Sequence, residues 1–248
     1  MHLDVVDLRN FYTGPLGEMA RRALGERLKV HWRDVRGCSL LGIGYATPYL
    51  SGLGQAAERV IAFMPATQGV VNWPAGGPNA AALVEETALP LNDATIDRAL
   101  VIHGLEMSES PRHFLRELWR VLAPGGRVLI VVPNRRGLWA HTDKTPFGHG
   151  RPFTRSQLTD FLREAMFSPS AWSDALHMMP AANRSMIGSA AMFDRIGRVA
   201  WSSFGGVIIV EATKQVYRAL PVGAKARARL ALRPVLAPPA SPRQSPSD

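Results

Sequence analysis

Five short apolar runs between Cys38 and Val132 constrain this chain more than any other feature. They are Cys38–Ile43, Arg59–Met64, Ala80–Val84, Asp97–His103 and Arg127–Val132. Turn formers or helical periodicity separate them. Ala99, Leu100, Val101 and Ile102 are contiguous and apolar, as in a parallel strand covered on both faces. Reading four strand-to-helix repeats into this stretch predicts a doubly wound, mostly parallel α/β sheet. Ligands of such sheets bind beyond the carboxyl ends of the strands. Here those ends are Gly42–Ala46, Met64–Pro65, Glu85–Glu86, His103–Glu106 and Pro133–Asn134.

The first of these ends is a strand–turn–helix, Cys38-Ser39-Leu40-Leu41-Gly42-Ile43-Gly44-Tyr45-Ala46-Thr47-Pro48-Tyr49-Leu50. Glycine lets a backbone approach a ligand, and a helix start presents N–H groups without intrahelical partners. Pro48 falls in the first turn of the predicted helix Thr47–Gly54, where its missing N–H costs nothing. Ahead of the sheet, Leu3–Trp32 reads as a pair of helices broken at Gly14-Pro15. Pro111–Leu122 is amphipathic, with Phe114, Leu115, Leu118, Val121 and Leu122 as its apolar stripe and Arg112, Arg116 and Arg120 outward. Pro124-Gly125-Gly126 stops it. Further on, Thr154 caps a helix to Met166, Ser170–Met179 holds a strand, Arg184–Phe204 is helical, and Gly206–Ala212 is a late apolar strand.

The net charge is +9, and five basic residues against Asp248 place +4 of it in residues 223–248. That segment, rich in Ala, Pro, Arg and Ser, reads as a disordered tail. The other arginines are scattered without interleaved aromatics, which argues against nucleic acid as the main partner. One cysteine, Cys38, excludes an intrachain disulfide. No apolar run is long enough for a membrane helix and no signal segment is evident, so a cytoplasmic location is expected. No H-x₃-H or C-x₂-C spacing, G-x-S-x-G elbow or P-loop occurs. The expectation is therefore no metal, no hydrolase and no NTPase.

The order of motifs resembles the class I S-adenosylmethionine-dependent methyltransferases, in particular a bacterial subgroup with a variant cofactor motif. The resemblance runs from Leu40 to Val132. It is carried by Leu89-Pro90-Leu91-Asn92-Asp93 and Asp97, then a buried strand, then Arg120-Val121-Leu122-Ala123-Pro124-Gly125-Gly126. It implies a Rossmann-like, seven-stranded, mostly parallel sheet with an N-terminal helical cap (residues 1–34), a methyltransferase-like domain (35–222) and the tail (223–248). It also implies S-adenosyl-L-methionine as cofactor and transfer of a methyl group to a small, anionic acceptor. The family's opening acid is absent, Gly42 and Gly44 are kept, and Ala46 and Pro48 stand at later positions. The second strand ends in Phe63-Met64-Pro65 without the usual ribose acid, which leaves Gln68 or Asn72 to replace it. The resemblance and the strand ends together nominate Gly42, Gly44, Tyr45, Ala46, Met64, Glu85 and His103 as cofactor contacts. They nominate His103 as general base, with Glu106 orienting it or binding the acceptor. The loop Pro146-Phe147-Gly148-His149-Gly150-Arg151-Pro152 reads as a lid. Phe147, His149 and Arg151, with Trp139 and His141, are the expected acceptor pocket. Two other readings compete: a non-catalytic cofactor sensor or scaffold, and nucleic-acid binding through the tail.

Overall fold

The computed structural model describes residues 3–180 and 205–216. The predicted helix 184–204 and tail 223–248 lie outside the described residues. Two helices lead, α1 (Val5–Thr13) and α2 (Pro15–His31). Seven strands follow: β1 (Ser39–Gly44), β2 (Arg59–Pro65), β3 (Ala81–Val84), β4 (Ile96–Ile102), β5 (Leu122–Pro133), β6 (Phe167–Ala175) and β7 (Val207–Lys214). They form one sheet in the order β3-β2-β1-β4-β5-β7-β6. β7 alone runs against its neighbours β5 and β6; the remaining pairings are parallel. The other helices are α3 (Thr47–Leu53), α4 (Pro111–Val121) and α5 (Arg155–Glu164).

Period-two alternation divides the strands between two apolar layers. Leu40, Met64, Leu100, Ile102, Leu129, Val131, Val207 and Ile209 face α1, α2 and α3, where they meet Leu8, Leu24, Leu28 and Leu50. Leu41, Ile43, Ala99, Val101, Val128, Ile130, Ile208 and Val210 face α4 and α5, against Phe114, Leu118, Leu158 and Leu162.

Three expectations are corrected. The four strand-to-helix repeats are not all present: among the described residues helices follow β1, β4 and β5, whereas loops join β2 to β3, as the turn formers of Gly69–Pro78 indicate, and β3 to β4. The two loops are 66–80 and 85–95. The first is rich in Pro and Gly, neither has a 3.6-residue apolar period, and α1 and α2 cover sheet surface that crossover helices would otherwise occupy. Pro124-Gly125-Gly126 lies inside β5, where the β4 register jumps from Ile96↔Leu122 to Arg98↔Arg127. It is an irregularity in a long strand, with Gly125 at φ +73°, rather than a turn before a shorter one. Arg120 is not an outward residue: its guanidinium is drawn onto the loop before β4, donating to Leu91 O at 2.8 Å and Leu89 O at 3.0 Å.

Candidate functional site

The chain leaves β1 toward β2 on one side of the sheet and returns to β4 on the other. The carboxyl ends of β1 and β4 are therefore the topological switch point, where a crevice forms. Backbone geometry there dictates both retained glycines. Gly44 sits at φ +77°, and a Cβ on it would fall 2.3 Å from Ile102 O. A Cβ on Gly42 would fall 2.5 Å from Leu50 Cδ1, so this glycine lets α3 pack closely on β1. Ala46 takes φ −83°, which any residue adopts, and Pro48 occupies the first turn of α3.

His103 follows β4 at φ +53°, an uncommon conformation outside glycine, and its side chain is wholly buried. Tyr12, from α1, meets His103 Nε2 at 2.9 Å. Tyr49 donates to the Tyr12 hydroxyl at 3.3 Å. The Tyr12 hydroxyl thus pairs with both Tyr49 and Nε2, and the tautomer of His103 sets which of Tyr12 and Nε2 donates. Nδ1 faces Glu106 Oε1 at 3.3 Å, near enough for an ion pair but too poorly aligned for a hydrogen bond. Burial, with Tyr49 and Glu106 nearby, pushes the Tyr12 hydroxyl well above the ordinary phenol range, so it stays protonated.

Gln68 completes the cluster. Its side chain is buried and donates to His103 O at 2.9 Å, while its carbonyl accepts from Val5 N at 2.7 Å. Gln68 Oε1 and Glu106 Oε2 are buried acceptors without a hydrogen-bond donor. Such groups are rare in folded proteins, and both suit a ligand rich in N–H donors. Over the top, the Phe147 ring lies 4.8 Å from the His103 ring. Arg151 N donates to Glu106 O at 2.8 Å, and a Cβ on Gly150 would come within 2.5 Å of that same carbonyl.

The residues nominated from sequence separate by depth. Tyr45 stacks on Tyr12, with ring centroids 5.5 Å apart. Met64 is buried and its Sδ accepts from Val71 N at 3.4 Å, tying down the following loop. Glu85 is exposed and accepts from Thr87. Trp139 is buried behind Phe147 and donates its indole N–H to Met178 O at 2.7 Å. His141 is exposed, with Nδ1 3.0 Å from Gly137 O. His149 is half-buried, 3.1 Å from Asp143 O, and the Arg151 side chain points to solvent. Sequence reading did not nominate Tyr12. Its only sequence signal is a hydroxyl-bearing aromatic on the apolar face of α1.

Three spaces adjoin this cluster. The largest, about 1040 Å³, lies between α1, α2, the Tyr45 turn and loop 70–75. A second, about 160 Å³, is lined by Pro65, Thr67, Glu85, Glu86, Glu109 and Ser110. A third, about 10 Å³, is lined by Leu3, Gln68 and His103. Among the described residues no group of three His, Cys, Asp or Glu side chains is placed to hold a metal, and no helix is long and apolar enough to cross a membrane.

A seven-stranded sheet of this order, with its crevice at β1 and β4, defines the Rossmann-like class of methyltransferase folds. Residues 38–130 match the family profile described as a methyltransferase domain. A probable S-adenosylmethionine-dependent methyltransferase of Mycolicibacterium smegmatis is 36% identical over 81 residues. That match takes in 32% of this chain and spans 31% of the relative's length. Over residues 38–130, then, the chain is similar to S-adenosylmethionine-dependent methyltransferases in sequence, and over the whole sheet it is similar to them in fold.

Solved structures share the fold. A possible histamine N-methyltransferase of Thermotoga maritima superposes with a TM-score of 0.59 at 17% identity, covering 85% of this chain and 96% of that one. The 1,6-didemethyltoxoflavin-N1-methyltransferase of Burkholderia thailandensis, solved with 1,6-didemethyltoxoflavin and S-adenosylhomocysteine, gives 0.51 at 19%, covering 84% and 83%. The 4+2 cyclase SpnF gives 0.55 at 22%, covering 80% and 82%.

Proposed function

We propose that this protein binds S-adenosylmethionine at the carboxyl ends of β1, β2 and β4 and transfers its methyl group to a small-molecule acceptor. The observation that carries the reading is the buried Tyr12–His103–Glu106 cluster at the switch point, with two unpaired acceptors beside it. The charge of the rim fits the cofactor, which is a cation at sulfur and carries an ammonium group. Glu85, Glu86 and Glu109 border the 160 Å³ space, and Glu106 and Gln68 present the unpaired oxygens. This is an acidic patch on a chain of net charge +9. Glu85 at the end of β3 suits an amino-group donor such as that of adenine.

When bound, the cofactor supplies an electrophilic methyl group, and orientation does much of the remaining catalytic work. The chain's own part is to take a proton from the acceptor. The negative charge of Glu106, 3.3 Å from Nδ1, favours a proton there, which leaves Nε2 as the base. Tyr12 stands between Nε2 and the large cleft and passes the proton inward through its hydroxyl.

Isothermal titration with S-adenosylmethionine and S-adenosylhomocysteine tests the reading. Saturable binding of both is expected; no heat at millimolar ligand sinks it. The tight packing around His103, together with Leu40 where the family carries its acid, favours one second reading, a cofactor-binding protein without catalysis. Labelled methyl that binds but never passes to any small molecule of a cell extract would select it.

A further inference from the structure

We propose that the cleft of about 1040 Å³ between α1, α2 and loop 70–75 is the acceptor site and takes a small organic acid with a flat apolar body. This rests on the methyltransferase reading above. The volume is at the upper end of what small-molecule sites offer. Two arginines, Arg9 of α1 and Arg21 of α2, line it. Neither has a carboxylate partner among the described residues; Glu18, the acid in the same lining, is paired with Arg22 instead. Unpaired guanidinium groups beside a cleft are matched to carboxylate geometry, which they bind bidentately.

Both arginines lie close enough to the tyrosines of the 45–49 turn to act on them. Burial pushes the Tyr45 and Tyr49 hydroxyls up, and the charges of Arg9 and Arg21 respectively oppose that push. The walls are apolar and partly aromatic: Val71, Trp73 and Pro74 on the loop, and Val5 on α1. A planar ring fits between them and the Tyr45 face.

The cleft also connects to the base. Tyr12 lines it and is the residue hydrogen-bonded to His103 Nε2 at 2.9 Å. Opposite charges are thus kept apart. The acidic rim at Glu85, Glu86 and Glu109 suits a cationic cofactor, and the basic cleft suits an anionic acceptor.

Calorimetric titration of the full chain with 4-hydroxybenzoate, with its neutral amide, and with S-adenosylmethionine tests the assignment. The acid is expected to bind at least tenfold more tightly than the amide. The variant Arg9→Gln/Arg21→Gln should bring the acid to the level of the amide and leave S-adenosylmethionine within twofold. Both arginines are exposed, so the fold should tolerate the change. Undetectable acid binding, or equal binding of acid and amide, overturns the proposal. A double variant that loses cofactor affinity as well overturns it too, because the cleft is then the cofactor's. If the acid binds through the arginines while S-adenosylmethionine binds nowhere, the acid site stands and the methyltransferase reading fails.

Discussion

At the start of β4, Arg120 donates to Leu89 O, Leu91 O, Glu117 and Asp93, and Glu117 in turn accepts from Leu89 N at 2.7 Å. Close by, Lys214 donates to Leu122 O at 2.6 Å and lies over the Trp119 ring. No buried side-chain polar atom of this knot lacks a partner. At the other end of the same strand, Gln68, His103, Glu106 and Thr145 each leave a buried polar atom without a hydrogen bond, and His103 holds a positive φ. Unpaired buried groups and strain cost stability, so a fold retains them where something other than stability is selected. The stretch that most resembles methyltransferases, Leu89–Asp93 with Arg120–Gly126, thus belongs to the stabilising end. It holds the loop ahead of β4 and so fixes where His103 emerges.

That contrast can be broken from either end. Arg120→Ala strips donors from two carbonyls and two carboxylates, and should destabilise by about 3 kcal/mol in urea unfolding. The folded protein should keep its cofactor affinity within about threefold. A large affinity loss would mean that the two ends are coupled and would end the comparison.

Glu117→Gln should cost about 1–2 kcal/mol at neutral pH. The hydrogen bond from Arg120 holds the Glu117 carboxyl below the ordinary carboxylate range. A lowered folded value stabilises above the unfolded pKa, near 4.5, and that gain disappears as pH falls through the folded value. The gap between wild type and Glu117→Gln should therefore close on acidification below about pH 4. A gap constant with pH would mean that packing, not charge, carries the effect.

Tyr12→Phe is the smallest in stability and the most telling for the site. Removing the hydroxyl leaves the buried Nε2 of His103 without its partner and should cost about 1 kcal/mol, the low end for such a loss. Turnover of an ionisable acceptor should fall about tenfold and its pH profile should shift. Unchanged turnover and profile would remove Tyr12 from the proton path.

Much of the fold is legible along the chain. Five parallel strands, the capping helices and α4 follow from local apolar periodicity and from Gly and Pro punctuation, which act over a few residues. His103, Glu106 and Phe147 are legible as strand-end and loop residues, and the fold gathers them as neighbours. The loop between β2 and β3 is legible in the turn formers of Gly69–Pro78, whereas the lack of a helix between β3 and β4 is not, because a parallel sheet asks only that its faces be covered and α1 and α2 meet that demand from the far end of the sequence.

Tyr12 is 91 residues from its hydrogen-bond partner His103, and Arg9 and Arg21 read as ordinary exposed helix residues. Local pattern specifies which segments become strands and helices, since backbone propensity and amphipathicity are short-range. Only tertiary packing decided that a tyrosine of α1 closes over the end of β4, and that two unpaired arginines line the cleft outside it. Those arrangements depend on how α1 and α2 seat on the sheet, which no short window of sequence contains.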